Sequence, residues 1–150
     1  MITIRAASTT QDIDACFRIR GEVFVVEQNV PVDLERDEHD SKALHFIALA
    51  DGQSVGTARV VLGDNGTSAK IGRVAVCQSS RGFGIGKMLI AAIEGSPDLK
   101  HVHNFRLDAQ THARQFYTRL GYEAYGEEFM DAGIPHRHMK KRNHQGRGVD

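Results

Sequence analysis

A glycine-rich turn contains the residues whose types and spacing are best suited to chemistry. Gly82, Gly84 and Gly86 occupy alternate positions, with Arg81 before them and Lys87 after them. Glycine lets the main chain approach a ligand closely and adopt positive φ angles. Apolar residues repeat at helical spacing after the turn, so the unpaired N–H groups and positive dipole end of a helix face it. This combination predicts a binding site for phosphate or pyrophosphate.

The spacing within the turn excludes two common nucleotide-binding motifs. A G-x-x-x-x-G-K-[ST] loop needs glycine where Arg81 stands and a hydroxyl where Met88 stands. The dinucleotide fingerprint G-x-G-x-x-G would need glycine at Lys87 or at Leu89. The pattern that fits is R-x-x-G-x-G, beginning at Arg81 directly after a predicted strand. A plain connection between strand and helix would need one glycine rather than three.

The hydrophobic pattern predicts an α/β chain whose elements position this turn. Ile2 and Ile4 alternate with polar residues and predict a first strand, and a T-x-x-D box at Thr9 predicts the start of a helix. Residues 29–40, with Pro31 and five acidic side chains, predict an exposed loop. The other predicted elements are strands at 45–50, 54–62 and 69–76, a helix from Ile85, a strand at 105–109, a helix at 112–120 and strands near 122–125 and 137–140.

Composition and charge indicate an ordinary globular protein and argue against several other classes. The chain has 150 residues, of which 41% are hydrophobic and 25% charged, as in ordinary globular proteins. Basic and acidic side chains balance, which argues against nucleic acid or an anionic membrane as a partner. The sequence has no apolar run long enough to cross a bilayer and no signal-like start, and its only cysteines are Cys16 and Cys77. These features predict a reduced, cytoplasmic protein. We expect a single domain over residues 1–142 and a flexible tail over 143–150.

Two blocks of the sequence resemble a known family. Residues 74–89 resemble motif A of the GNAT superfamily of N-acetyltransferases, [RQ]-x-x-G-x-[GA] after an apolar strand. Residues 113–122, which contain Tyr117, resemble its block A-x-x-[FL]-Y-x-x-x-G-[FY]. Residues 20–28 and 133–136 look like the ElaA-like branch of that superfamily. The resemblance implies a mixed, mostly antiparallel central sheet of six to seven strands flanked by helices.

The resemblance also implies acetyl-CoA as the acyl donor. The pantetheine arm would pair with the main chain of Val74, Ala75 and Val76 as an added strand, and the Val76 N–H would polarise the thioester carbonyl. Gln110 stands where the family often has asparagine, and it offers the same amide chemistry to the coenzyme. The pyrophosphate would rest on the turn formed by Arg81, Gly82, Phe83, Gly84, Ile85, Gly86 and Lys87.

An amine acceptor must lose a proton, and the leaving thiolate must gain one. Tyr117 matches the family tyrosine that supplies the second proton, although packing of a short helix would also explain an aromatic residue there. Many family members have a glutamate on the strand before motif A, whereas this chain has Arg73, which cannot act as a base. The candidate bases are, in order, Glu27, His45 and Glu22, with water relays as an alternative.

The predicted function is transfer of an acetyl group from acetyl-CoA to a primary amine by direct attack through a tetrahedral intermediate. We expect a small-molecule acceptor rather than a protein; the alternative function is a non-catalytic module that binds coenzyme A or senses acyl-CoA. Homodimers are common in the family, so a homodimer stays open. We expect no metal, because His101 and His103, or His136 and His138, lack further ligands at a recognisable spacing. The acidic residues of 33–40 would either attract a cationic amine or simply be solvated.

Overall fold

The computed structural model describes residues 1–145, which form a seven-stranded mixed sheet flanked by helices. Across the sheet the strand order is β1-β2-β3-β4-β5-β7-β6. β4 and β5 are parallel, whereas β1–β2, β2–β3, β5–β7 and β6–β7 are antiparallel. The predicted fold class is therefore confirmed. The strands are β1 Ile2–Ala6, β2 Leu44–Ala50, β3 Gln53–Gly63, β4 Ser68–Val76, β5 Asn104–Gln110, β6 Glu123–Asp131 and β7 Ile134–Arg142.

The helices begin where the sequence provides start signals. The Thr9 hydroxyl accepts a hydrogen bond from the Asp12 N–H at 3.0 Å and so caps the first helix, as its T-x-x-D box predicts. This helix continues directly into a π-helical segment, Gly21–Glu27, which the sequence pattern did not indicate. Among residues 1–145, none of the helices is long and apolar enough to span a bilayer. The α-helices of this region are α1 Thr10–Arg20, α2 Val32–Glu35, α3 Ile85–Glu94 and α4 Arg114–Arg119.

The chain forms two compact units, each with its own buried apolar residues. The first unit comprises Met1–Val61 and Arg73–Ile93, and the second comprises Leu62–Gly72 and the chain from Glu94 onward. The buried apolar residues of the first unit include Ile19, Val23, Phe46, Ile47, Val60, Ala75, Ile85, Leu89, Ile90 and Ile93. Those of the second include Ala69, Ile71, Leu99, Val102, Phe105, Leu107, Ala109, Tyr122 and Met139.

The ordered chain extends past the boundary that the sequence predicts at residue 142. Asn143 is buried, and its amide donates to the carbonyls of Leu99 at 3.2 Å and Val102 at 2.8 Å. The Gln145 amide donates to two further main-chain carbonyls. Residues 143–145 therefore do not belong to the predicted tail, since side-chain amides fix them to the second unit. The rest of that tail, 146–150, lies outside the described residues.

The acidic segment 29–40 is largely exposed, as its composition predicts, but it is not a plain loop. Residues Val32–Glu35 form α2, and only 3% of the Glu35 side chain is exposed. The buried guanidinium of Arg20 on α1 donates from Nε to Glu35 at 2.9 Å and from Nη1 to Asp40 at 2.7 Å. The segment is therefore fixed onto α1 by ion pairs, because buried carboxylates require cationic partners.

Two further arginines complete this buried network. Arg59 on β3 donates to Asp37 at 2.7 Å and to Asp40 at 2.8 Å. Arg73 on β4 donates from Nε to Glu35 at 3.0 Å and from Nη2 to Asp37 at 3.3 Å. Three guanidinium groups thus neutralise three carboxylates. Because these carboxylates are paired with arginines, neither role considered for the segment applies to them: they do not attract a cationic amine, and they are not simply solvated.

The network also favours the ionised state of Asp37 and Asp40. Hydrogen bonds from Arg59 keep the pKa of Asp37 below its ordinary value. Burial works to raise the pKa of Asp40, but hydrogen bonds from Arg20 and Arg59 hold that pKa well below its usual range. The ionised forms of both carboxylates are therefore more favourable in the folded chain than in the unfolded chain, which increases the free energy of unfolding at neutral pH.

Gly56 on β3 allows a close approach of the main chain of β4. A Cβ atom at this position would lie 3.2 Å from the carbonyl oxygen of Ala75, 3.2 Å from Cγ2 of Ile85 and 3.3 Å from Cβ of Ala48. Two of these three atoms belong to buried core residues of β2 and α3, and the third is main chain. The absence of a side chain at Gly56 therefore sets the position of the last residues of β4.

We expect Gly56→Val to destabilise the protein by about 1–3 kcal/mol, because overpacking a core forces side chains or main chain out of place. Denaturant unfolding measures this change. Gly63→Val is the matched control, since Gly63 has an extended main chain with φ −139° and no atom within 4 Å of its Cβ position. Equal stability of the two variants would contradict the close approach at Gly56.

We expect Asp40→Asn to destabilise the protein by about 3 kcal/mol at neutral pH, because it leaves two buried guanidinium groups without a full partner. The folded-state pKa of Asp40 lies below the unfolded value of about 3.9, so its stabilisation is present above that value and is lost as the pH falls through the folded pKa. Unfolding measured from neutral to acidic pH should therefore show the deficit of the variant shrinking in acid. Glu38→Gln, at an exposed carboxylate of the same segment, should leave stability nearly unchanged.

Candidate active site

The glycine-rich turn has the geometry of an anion-binding loop. Gly82 and Gly84 adopt positive φ angles of 89° and 78°, and no atom lies within 4 Å of the Cβ position of either. The carbonyl of Gly84 accepts the first hydrogen bond of α3, from the Met88 N–H at 3.0 Å. The N–H groups ahead of Met88 have no intrahelical acceptor and carry the positive end of the helix dipole. The turn therefore offers open space, free main-chain donors and positive potential to a phosphate group.

At the end of β4, main-chain groups point alternately toward β3 and away from it. The Cys77 N–H donates to the carbonyl of Val55 at 2.9 Å, and the Ala75 carbonyl faces Gly56. Successive residues of a strand direct their N–H and C=O groups to opposite sides. The N–H groups of Val74 and Val76 therefore point to the side of β4 opposite β3, which is the direction that the expected coenzyme contacts require.

Arg81 contacts two other residues that the sequence singles out, Val76 and Glu27. Its Nε donates to the carbonyl of Val76 at 2.9 Å, and its Nη2 lies 2.8 Å from Oε1 of Glu27. The pair with Glu27 is at the surface, where an ion pair contributes little, about 0–1 kcal/mol. A bound phosphate could therefore compete for the guanidinium group at small cost.

Glu27 and Glu22, two of the candidate bases, lie on the π-helical segment Gly21–Glu27. π-helical turns are rare and occur frequently at functional sites. The Glu27 carboxylate is paired with Arg81, as described above. The Glu22 carboxylate accepts from Arg18 at 3.0 Å and from the Cys77 thiol at 3.6 Å.

His45, the remaining candidate base, is buried on β2. Its Nε2 lies 3.0 Å from the carbonyl of Asp40, so this nitrogen carries the proton that makes the hydrogen bond. Its Nδ1 is buried and has no hydrogen-bond partner among residues 1–145. The ring packs at a tilt against Phe17, with 5.9 Å between the ring centroids. His45 is thus linked to the acidic segment through Asp40.

The second unit holds Tyr117 and Gln110. Tyr117, on α4, is buried with its ring edge-on to the rings of Phe116 at 4.9 Å and Tyr122 at 6.0 Å. Burial alone raises the pKa of Tyr117 to about 12, so the hydroxyl is protonated at neutral pH. Gln110 is the last residue of β5 and lies opposite His136 of β7.

The second unit also contains a polar cluster that the sequence analysis missed. His138 on β7 lies opposite Asp108 on β5, and its Nδ1 is 2.6 Å from the Asp108 carboxylate. Lys70 on β4 is 2.9 Å from the other carboxylate oxygen. The sequence analysis considered His138 only as half of a metal-binding pair. The sequence shows that Asp108 and Gln110 are two residues apart, as are His136 and His138, so each pair shares one face of a strand. It does not show the register that places Asp108 opposite His138.

Comparison with known proteins gives the family. The model of the acetyltransferase (GNAT) domain family matches residues 4–143. The uncharacterized N-acetyltransferase YjcF of Bacillus subtilis (strain 168) is 37% identical over 136 residues, which cover 90% of this chain and 96% of that protein. Protein ElaA of Escherichia coli (strain K12) is 33% identical over 129 residues, which cover 81% of this chain and 82% of ElaA.

A solved structure agrees with these sequence relatives. An acyl-CoA N-acyltransferase from Pseudomonas aeruginosa superposes with a TM-score of 0.80 at 31% identity, covering 94% of this chain and 98% of that chain. The predicted resemblance and the prediction of an enzyme are therefore confirmed. The chain belongs to the GNAT family of acetyltransferases, and it is an acyltransferase that uses acyl-CoA as a substrate.

Proposed function

We propose that this enzyme transfers an acetyl group from acetyl-CoA to a primary amine of a small molecule, by direct attack of the amine on the thioester. The observation that carries the proposal is the pairing of an open glycine turn at the start of α3 with main-chain N–H groups on β4 that point away from β3. The turn suits a pyrophosphate, and the strand suits an extended amide-containing arm.

On the donor side, main-chain groups do most of the binding. The pyrophosphate accepts hydrogen bonds from N–H groups of residues 82–87, and Arg81 and Lys87 add positive charge. The N–H groups of Val74 and Val76 face the pantetheine arm, and that of Val76 polarises the thioester carbonyl as a single-donor oxyanion site. The Val76 carbonyl already accepts from Arg81, so the N–H of Val76 is the group available to the thioester. The amide of Gln110 is a further proposed contact with the coenzyme arm.

Tyr117 stabilises the departing sulfur. A thiol has an ordinary pKa of about 8.5, so full proton transfer to a thiolate from a phenol near pKa 12 is unfavourable by about 5 kcal/mol. Donation of a hydrogen bond carries no such cost, and it stabilises the negative charge that develops on sulfur as the C–S bond breaks. The buried hydroxyl therefore acts as a hydrogen-bond donor to the leaving group, with proton transfer completed as the thiolate reaches water.

The base has more than one candidate. Glu27 remains a predicted base, and displacement of Arg81 by the coenzyme pyrophosphate would release its carboxylate. His45 also remains a predicted base, but its hydrogen-bonded Nε2 leaves only the buried Nδ1 to accept a proton.

The donor site is tested with a double variant, Gly84→Val with Gly86→Val. A β-branched residue is strained at the φ of 78° that Gly84 adopts, and its side chain would occupy the open space of the turn. We expect micromolar binding of acetyl-CoA to the native chain in calorimetric titration and no measurable binding to the variant. Gly63→Val, at a glycine with an extended main chain, should bind like the native chain. Failure of the native chain to bind acetyl-CoA would overturn the proposed function.

The role of Tyr117 is tested by Tyr117→Phe. We expect kcat to fall about 100-fold with little change in acetyl-CoA affinity, because the lost hydrogen bond forms only as the C–S bond breaks. The matched control is Tyr122→Phe, which removes a hydroxyl that donates to Glu94 at 2.7 Å. That variant should lower the melting temperature and leave kcat nearly unchanged. An unchanged kcat for Tyr117→Phe would remove this hydroxyl from the mechanism.

A further inference from the structure

Two oxygen atoms at the end of β4 hold a cation between them. The Nε of Arg81 donates to the main-chain carbonyl of Val76 at 2.9 Å, and its Nη2 donates to the Glu27 carboxylate at 2.8 Å. All three residues belong to the first unit. Because one guanidinium group contacts both oxygens, the carboxylate and the carbonyl are separated by the width of that group. The two oxygens therefore form a cation site, and the chain's own Arg81 occupies it.

Packing within the first unit fixes the Glu27 side of this site. Val23, in the π-helical segment that ends at Glu27, shares a buried apolar cluster with Ala75 of β4. The Gln28 N–H donates to the carbonyl of Val23 at 3.2 Å, which ties the end of the segment to its packed part. The main chain of Glu27 is thus held near Val76 independently of the guanidinium group, and the site would persist if that group left.

The site lies on the side of β4 that the thioester needs. The Cys77 N–H donates to the carbonyl of Val55 on β3, and the C=O of the same trans peptide points in the opposite direction. That C=O is the carbonyl of Val76, which therefore points away from β3. In an extended strand the N–H of a residue points to the same side as its C=O. A cation on the Val76 carbonyl thus lies on the same side of β4 as the N–H proposed to polarise the thioester.

The guanidinium group that fills the site is held weakly. The side chain of Arg81 is 43% exposed and that of Glu27 is 30% exposed. Ion pairs at the surface contribute little stability, because water screens both charges. Arg81 also directly precedes Gly82 in the glycine turn, and a phosphate pairs with a guanidinium group through two parallel hydrogen bonds. A coenzyme pyrophosphate on the turn would therefore draw the guanidinium group away from Glu27.

We propose that the site vacated by Arg81 binds the acceptor, and that the acceptor is an alkylammonium ion. Its N–H groups donate to the Glu27 carboxylate and to the Val76 carbonyl, where those of the guanidinium group donate in the absence of the coenzyme. A primary alkylamine carries this charge at neutral pH and has three N–H donors. The inference rests on the acetyl transfer proposed above, and it adds the charge of the acceptor and the condition for its binding.

Donor and acceptor consequently bind with positive cooperativity. The coenzyme withdraws Arg81 and so opens the site to the acceptor, and an acceptor on Glu27 leaves Arg81 free for the pyrophosphate. By thermodynamic linkage, the coenzyme raises the affinity for the cation by the same factor as the cation raises the affinity for the coenzyme.

The test uses n-propylguanidine, which has the head group that fills the site and keeps its charge at neutral pH. In calorimetric titration we expect it to bind the native chain about 10-fold more tightly with saturating coenzyme A than without it. Arg81→Gln should bind n-propylguanidine without coenzyme A, because its site is open. With coenzyme A bound, Glu27→Gln should bind it about 10-fold more weakly than the native chain, since the charged acceptor is lost.

Two controls separate this site from general attraction of cations. n-Propylurea has nearly the same shape as n-propylguanidine without its charge, and it should bind in neither condition. Arg18 on α1 pairs with Glu22 at 3.0 Å, so Arg18→Gln also frees a carboxylate of the π-helical segment. This variant should still require coenzyme A for binding, as the native chain does. Equal affinity of the native chain for n-propylguanidine with and without coenzyme A would overturn the proposal, as would equal binding of n-propylurea.

Coenzyme affinity gives a second measurement. Glu27→Gln should bind coenzyme A about 3-fold more tightly than the native chain, because Arg81 no longer has to leave an ion pair to reach the pyrophosphate. Glu22→Gln removes the same charge from the same segment at a carboxylate paired with Arg18, and it should bind coenzyme A like the native chain. An unchanged or weaker affinity in Glu27→Gln would contradict competition for Arg81.

Failure of this inference and failure of the proposed function give different results. A native chain that does not bind coenzyme A or acetyl-CoA overturns the proposed function. A chain that binds the coenzyme, but binds n-propylguanidine regardless of it or regardless of Glu27, overturns only the cation site. Melting temperatures near the native value for Arg81→Gln and Glu27→Gln would show that both variants are folded, as expected for changes at an exposed ion pair.

Discussion

Gly56 has no side chain, and a Cβ atom there would lie only 3.2 Å from the carbonyl oxygen of Ala75, so a larger residue would press on the end of β4. With the Cys77 N–H bonded to Val55, this contact fixes which way the last peptide groups of β4 point. The N–H groups of Val74 and Val76 are consequently directed away from β3, and the chain then enters the glycine turn. Every proposed contact with the donor depends on this orientation, because the coenzyme is recognised through main chain rather than side chains.

A second constraint acts on the segment that follows α1. Three arginines from α1, β3 and β4 fix residues 35–40, and this network includes Arg73, whose φ of 52° is unusual for a residue other than glycine within a strand. Such a conformation costs free energy and persists only where surrounding contacts impose it. The hydrogen bonds of Arg73 to Glu35 and Asp37 provide those contacts. The acidic segment therefore supports the shape of β4 in the same unit.

Local patterns in the sequence predicted much of the fold and the open glycine turn. The alternation of Ile2 and Ile4, the cap at Thr9 and the glycines of the turn act over a few residues, and the structure has the corresponding strand, helix and loop. The acidic segment is largely exposed as predicted, but its attachment to Arg20, Arg59 and Arg73 was missed because these partners are distant in sequence. The pairing of Asp108 with His138 was missed for the same reason, since it depends on the register of β5 and β7. The π-helical segment had no local signal.

The arginine at position 73 gives these observations a common interpretation. Many members of the family have a glutamate on this strand, whereas here a guanidinium group serves the buried network and cannot take a proton. In the proposed acetyl transfer, the proton of the amine must therefore be taken by another side chain or by a water relay. Arg73 therefore supports the shape of β4, whose main chain carries the proposed contacts with the donor, and takes no part in proton transfer.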